Sequence, residues 1–260
     1  SLLFFSSNTA VNYRCKVNII LYFCIVRNSN NLEISIDNRI ISACPDMQIG
    51  VIRAKVVNSP TSDKLWKLIS EECERIANTY PIAEIKNRPA IAKTRELYKA
   101  LGKEPNRYRV SSEALCRRIV RGLGIYRIDT LVDLINLASI KSGYAIGGFD
   151  ADKIVGNKLH LTAGTADDHF EGIGRGPLNI EGLPVYRDEV GGIGTPTSDE
   201  ERTKITIDTS HIHININAFA TEMPLSEMIP WVESLLVEFA QASSITSFVI
   251  YPNLNEMHNR

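Results

Sequence analysis

At 260 residues, with 44% hydrophobic and 23% charged side chains, the chain falls in the ordinary soluble globular range and is long enough for one large domain or two small ones. Its five cysteines (Cys15, Cys24, Cys44, Cys73 and Cys116) are odd in number, widely spaced and form no CxxC or Cys/His cluster. That argues against a zinc site or a disulfide framework and fits buried thiols in a reducing cytoplasm. The net charge of −1 hides an asymmetry, because Lys86 to Arg127 holds twelve Lys or Arg against Glu96, Glu104 and Glu113. Such a local excess predicts either a polyanion surface, since each phosphate contact releases counterions, or a pair of solvated helix faces.

In chain order, Arg14 and Lys16 precede an apolar run from Val17 to Val26 that is interrupted only by Asn18. The run is about half the length needed to span a bilayer, and no small-x-small cleavage site follows it. A buried or edge strand is the other reading. No Met precedes Met47 and domain-like patterning begins near Leu32, so residues 1–31 are expected to be an uncertain leader, read from an over-extended start.

Alternation at Leu32, Ile34 and Ile36 predicts a strand, as does Gln48 to Val57, with Cys44-Pro45-Asp46 as turn chemistry between them. Thr61 to Tyr80 places Leu65, Leu68, Ile69, Cys73 and Ile76 at helical spacing behind Ser62 or Asp63 as N-cap. Pro89 opens a second helix that runs to Leu101, and Ser111 a third that reaches Gly122. A fourth spans Leu131 to Ser142 and stops at Gly143.

From Lys158 the texture changes to short apolar stretches divided by Gly, Pro and Asp: Leu159 to Ala163, Phe170 to Ile173, Leu183 to Tyr186, Lys204 to Asp208 and His211 to Ala218. These read as strands. Pro224 to Ala242 returns to helical periodicity, and Thr246 to Tyr251 is a final strand. The order predicts a mixed α+β architecture, not a doubly wound one.

Few motifs carry chemistry on their own. Gly172 to Gly176 and Gly191 to Gly194 resemble phosphate loops, but no helix follows either, so turns between strands account for them better. His211 and His213 share one strand face near Asp208, yet no third ligand is evident; no metal is expected, and the alternative is a polar, solvent-facing strand side with Ile212, Ile214 and Ile216 buried opposite. No serine or cysteine stands in a nucleophile setting, so hydrolysis, if present, would rest on an oriented water in a shaped pocket. Gly143 to Asp150 follows a helix, and its paired glycines allow a tight turn or a close backbone approach to a ligand.

Arg127-Ile128-Asp129, Leu131-Val132-Asp133-Leu134-Ile135-Asn136, Gly143 through Phe149-Asp150 and Ala151-Asp152-Lys153-Ile154, taken together, resemble the signature of the B3/B4 domain of the phenylalanyl-tRNA synthetase beta chain. The helix bearing Arg117 and Arg118 and the strand region Thr206 to Asn217 also fit that domain. The resemblance covers residues 111–217 and implies a single B3/B4-like domain over 32–252. The implied fold is α+β, a mixed fold with a β-sandwich or sheet and packed helices.

In bacterial synthetases this domain houses the site that hydrolyses tyrosine wrongly attached to phenylalanine tRNA. The resemblance therefore implies a freestanding tRNA-binding protein that hydrolyses mischarged aminoacyl-tRNA. The alternative is a noncatalytic module that binds an amino acid, a metabolite or RNA; a complete phenylalanine-tRNA ligase is not expected. The implied partner is tRNA, aminoacylated, with free amino acid as a further ligand, no membrane and no cofactor. Asp133 and Asn136 are the candidate water orienters. Arg127, Gly147, Gly148, Phe149 and Glu201 are the candidate substrate contacts, and Arg117, Arg118 and Arg121 would hold RNA phosphates. Two positions depart from the family pattern: Ile135 replaces a threonine and Gly147 the pocket histidine. In the loop Thr195 to Lys204, where the family has a specificity glutamate, Asp199, Glu200 and Glu201 are available, while Lys204 aligns with the glutamate itself.

Overall fold

The computed structural model describes residues 32–252, so the expectations for 1–31 lie outside the described residues. Two four-stranded sheets lie face to face, and helices cover the outer face of one of them. The central sheet is antiparallel. It contains β2 (Gln48–Lys55), β3 (Ala145–Asp150), β9 (His211–Ala218) and β10 (Ser243–Ile250), in the order β10-β2-β9-β3. The second sheet has the order β1-β4-β7-β8, from β1 (Glu33–Ile36), β4 (Lys158–Ala163), β7 (Pro184–Arg187) and β8 (Gly192–Gly194); only the β1–β4 pairing is parallel. A small hairpin of β5 (Glu171–Gly172) and β6 (Gly176–Pro177) stands apart.

The helices follow from their caps. α2 (Asp63–Thr79) starts where the Ser62 hydroxyl accepts from the Leu65 N–H, and α3 (Pro89–Ala100) has Pro89 at its first turn. α5 (Thr130–Ser142) is capped by Asp129, whose carboxylate accepts from the Val132 N–H at 2.9 Å, and Gly143 closes it. Buried Arg88 finishes the job at that end: it donates to the carbonyls of Ile140 (2.7 Å) and Lys141 (3.0 Å) while pairing with Glu222 at 2.7 Å. The last carbonyls of a helix need such partners when they are removed from water.

Alternation sets the layers. Even-numbered positions of β2 and β9 (Ile52, Ala54, Ile212, Ile214, Ile216) pack against α2, α5 and α6 (Leu225–Ala240). Odd-numbered Ile49 and Val51, with Phe149 of β3, pack against Leu159, Leu161, Tyr186 and Ile193 of the second sheet.

Asn38–Ala43, for which the sequence carried no expectation, forms a short helix, α1, capped by Asp37; its six residues are too few to show a helical period. Three local expectations need correction. Lys204 to Asp208 is turn and coil, because the segment follows a helical turn at Glu201–Thr203 and its buried Thr203 anchors it. The glycine-rich Gly143 to Asp150 stretch is mostly β3, an edge strand. The His213 side of β9 is not solvent-facing, since the second sheet covers it and His213, Asn215 and Asn217 are all buried.

Candidate functional site

A cleft of about 360 Å³ opens where α5, α4 (Ser111–Val120), β3 and the loop after β8 meet. Val132, Ile135, Asn136 and Ser139 line it from α5, and this spacing is one helix face. Ile146 and Gly148 supply its floor from β3, while Ser111 and Leu115 flank it from α4. The loop contributes Thr195, Ser198, Asp199, Lys204 and Ile205. Gly148 leaves room for the helix side chains: a Cβ on it would lie 2.3 Å from Cδ1 of Ile135, which would have to move aside.

Asp199 is the cleft's carboxylate. Because β3 is an edge strand, the Gly148 N–H points away from β9 and donates to Asp199 Oδ2 at 3.3 Å. Among the described residues no cation pairs with Asp199. Desolvation therefore dominates, and pushes its carboxyl up to about 7 against the one stabilising backbone bond. Asn136 faces the same space with an amide that has no hydrogen-bond partner among the described residues. Lys204 pairs with Glu201 and shares the cleft wall. A carboxylate that titrates near neutrality can take a proton from water, and an amide or ammonium can stabilise negative charge on a carbonyl oxygen.

Of the candidate water orienters, substrate contacts and RNA contacts, Asn136 and Gly148 line this cleft and the others are placed elsewhere, whereas Ile135, Asp199 and Lys204, noted in sequence for other reasons, also line it. Asp133 is fully buried; it accepts from the Thr61 hydroxyl at 2.5 Å and from the Ile128 N–H at 3.1 Å, which locks the entry to α5. Burial pushes its carboxyl upward. Arg127 turns outward to Asp63 (2.8 Å) and the Thr61 carbonyl and lies over the Trp66 ring. Gly147 and Phe149 face the second sheet, where the Phe149 ring lies 6.2 Å from that of His213. A Cβ on Gly147 would be 2.8 Å from that phenyl ring, so a histidine here, as in the family pattern, would require the ring to move. Glu201 is held by Lys204, and Asp199 takes the place in the cleft that had been expected of Glu201.

The basic segment is also less available than its composition implied. Arg88, Arg95 and Lys103 are spent inside the fold, on Glu222, Glu113 and the Asn179 carbonyl respectively. Arg109 and Arg117 gather around the same buried Glu113, and Arg117 also donates to the Ile82 carbonyl. Arg118 stacks on Tyr126, and Arg121 is exposed at the end of α4. Charge counting along a sequence cannot separate buried guanidinium bridges from surface cations.

The other leads do not converge. His211 pairs with Asp152 at 2.8 Å, whereas His213 is buried against Asn215, and no cluster of three or more His, Cys, Asp or Glu set to hold a metal occurs among the described residues. Cys44, Cys73 and Cys116 are free thiols that burial pushes up to about 11, too high to be nucleophiles near neutral pH. A second hollow, about 450 Å³ between α6 and β10, is lined by no Asp, Glu, Lys, Arg or His. Among the described residues no helix is long and apolar enough to cross a membrane.

The family model for the B3/4 domain matches residues 93–224, which include α4, α5, β3 and the whole cleft. The chain belongs to the B3/4 domain family. Its architecture is α+β, a mixed fold of stacked sheets and packed helices. Among solved structures, the chain is similar to an N-terminal fragment of the phenylalanyl-tRNA synthetase beta-subunit from Pyrococcus horikoshii, at 13% identity and a TM-score of 0.43. That match covers 85% of this chain and 55% of the fragment, so the B3/4 chain spans about half the fragment's length. No curated protein matches the chain.

Proposed function

We propose that this B3/4 protein, with residues 32–252 as one functional domain, binds the 3′ end of tRNA and hydrolyses an aminoacyl ester held in the α5–β3 cleft. The observation that carries the reading is Asp199, an unpaired carboxyl near neutral pKa that shares one cleft with Asn136 and Lys204. Water attacks the ester carbonyl and Asp199 accepts its proton. Asn136 and Lys204 hold the developing oxyanion, and the RNA hydroxyl leaves with the proton. The products are free amino acid and uncharged tRNA.

The family membership and the partly exposed arginines of α4 support RNA as the carrier, and the cleft's volume suits an amino-acid side chain. The test is deacylation of a panel of mischarged tRNAs. Turnover of at least one species above its spontaneous rate is expected, and no turnover with any would remove the enzymatic claim. A second reading has its own observation: opposite charges on Asp199 and Lys204 match the ammonium and carboxylate of a free amino acid. Amino-acid binding that is indifferent to salt, without deacylation, would favour that reading.

A further inference from the structure

The loop from α4 to α5 exposes three large apolar side chains in succession, Leu123 (58%), Tyr126 (66%) and Ile128 (58%). Ile128 is itself part of the cleft wall. Arg118 lies three residues beyond Leu115, another wall residue, and hence on the same face of α4. Its guanidinium carbon is 4.2 Å from the centre of the Tyr126 ring. The ring thus has a cation on one side and, at its exposure, an open face on the other.

Neither Arg118 nor Arg121 has a carboxylate within ion-pair distance among the described residues, and the Arg118 Nε is buried without a hydrogen-bond partner. An exposed aromatic ring usually carries a cost in water unless something covers it, and a ring backed by uncompensated cations suits a planar, polyanionic ligand. Tyr and Arg are also frequent at protein interfaces, and what favours an RNA end here is that the ring adjoins the cleft wall through Ile128.

We propose that Tyr126, backed by Arg118, is a stacking ledge for the unpaired 3′-terminal nucleobase of the RNA whose acyl group enters the cleft. The inference rests on the cleft being an RNA-end site, and it adds the residue that seats the terminal base. Arg118 and Arg121 meet the flanking phosphates, and Ile128 lies between the ledge and the cleft interior.

The experiment uses the full chain and two RNA hairpins, one blunt and one with a single-stranded 3′ overhang ending in the fluorescent base 2-aminopurine. Binding to the overhang hairpin is expected to quench the terminal base. Tyr126→Ala should abolish the quench and weaken overhang binding about tenfold, while Tyr126→Trp retains both. Binding of the blunt hairpin should not change with either variant. Because Tyr126 is exposed, thermal melting should coincide for all three proteins. An undiminished quench in Tyr126→Ala would overturn the ledge and leave the deacylation reading standing. So would loss of self-association, in place of RNA affinity, in that variant. If the wild-type chain bound neither hairpin, the ledge and the RNA half of the proposed function would fall together, whereas turnover in the deacylation panel is scored separately.

Discussion

Strand β9 carries two chemistries back to back. Ile212, Ile214 and Ile216 enter an apolar core beneath the helices, while His213, Asn215 and Asn217 enter an equally dry space between the two sheets. The first face is held by transfer of hydrocarbon out of water, which is non-directional and depends on filled volume. The second is held by particular bonds: His213 Nε2 donates to Asn215 Oδ1 at 2.8 Å, the Tyr186 hydroxyl to Asn217 Oδ1 at 2.6 Å, and Asn217 Nδ2 to the Ala145 carbonyl at 2.9 Å. Alternation in a sequence shows that a strand has two different faces. It does not show that the polar one is wet.

The largest loss of stability is expected on the apolar side. Ile214→Ala removes a fully buried side chain from the helix-covered face, and about 3 kcal/mol of stability should be lost, read as a lower urea midpoint at unchanged slope. A loss under about 1 kcal/mol would mean that this face collapses around the cavity and is not rigid.

The polar side should respond to pH instead. Burial lowers the His213 pKa to about 4, with nearby Arg53 adding to the effect, so the folded protein binds this proton much less readily than the unfolded chain. The contribution is fully present above the unfolded value near 6.5 and is lost as pH falls through the folded value. Between neutrality and pH 4 it should remove roughly 2 to 3 kcal/mol, and His213→Gln should flatten that part of the stability profile. A wild-type profile no steeper than the variant's would show that the inter-sheet space admits water to the imidazole.

Sequence reasoning succeeded where a local period or cap carried the information. The α2 stripe with Ser62, the Pro89 start of α3 and the α5 stripe ending at Gly143 were all legible. It failed where tertiary placement decides. β3 reads as a loop because Gly147 and Gly148 have poor strand propensity, and their reason for being there is contact with Phe149 and Ile135, residues on opposite faces. Asn58 gave no signal at all, yet its side-chain oxygen accepts from the Leu131 N–H and its amide donates to the Thr206 carbonyl, joining α5 to the loop beyond the cleft. In the site, Asn136 and Gly148 could be read from the motif. Asp199 was visible only as one of three adjacent acids, since nothing in Asp-Glu-Glu says which carboxyl turns inward.

Asp199 is where the two faces meet, and it offers the finest probe of the difference between them. Its carboxyl is bonded to Gly148, whose missing side chain would meet Ile135 of the helix layer. A Cβ on Gly194 would lie 2.6 Å from both Asp199 Oδ1 and the Phe149 ring of the inter-sheet layer. With its pKa raised to about 7, Asp199 favours the fold most in its neutral form. That contribution is complete below the ordinary carboxylate value and is lost as pH rises through about 7. Asp199→Asn is permanently neutral, so at pH 8 it should be at least as stable as wild type, the smallest effect of the series and opposite in sign to the others. Catalysis should move the other way: wild-type deacylation should rise with pH and level off above about 7, whereas the variant should be slower by about a hundredfold or more and show no such inflection. A residue that served only to hold the loop against β3 would lose stability and rate together at every pH. Unchanged stability with a lost inflection is the result that assigns the proton transfer to this carboxyl, and a variant that kept the wild-type profile would move the base elsewhere in the cleft.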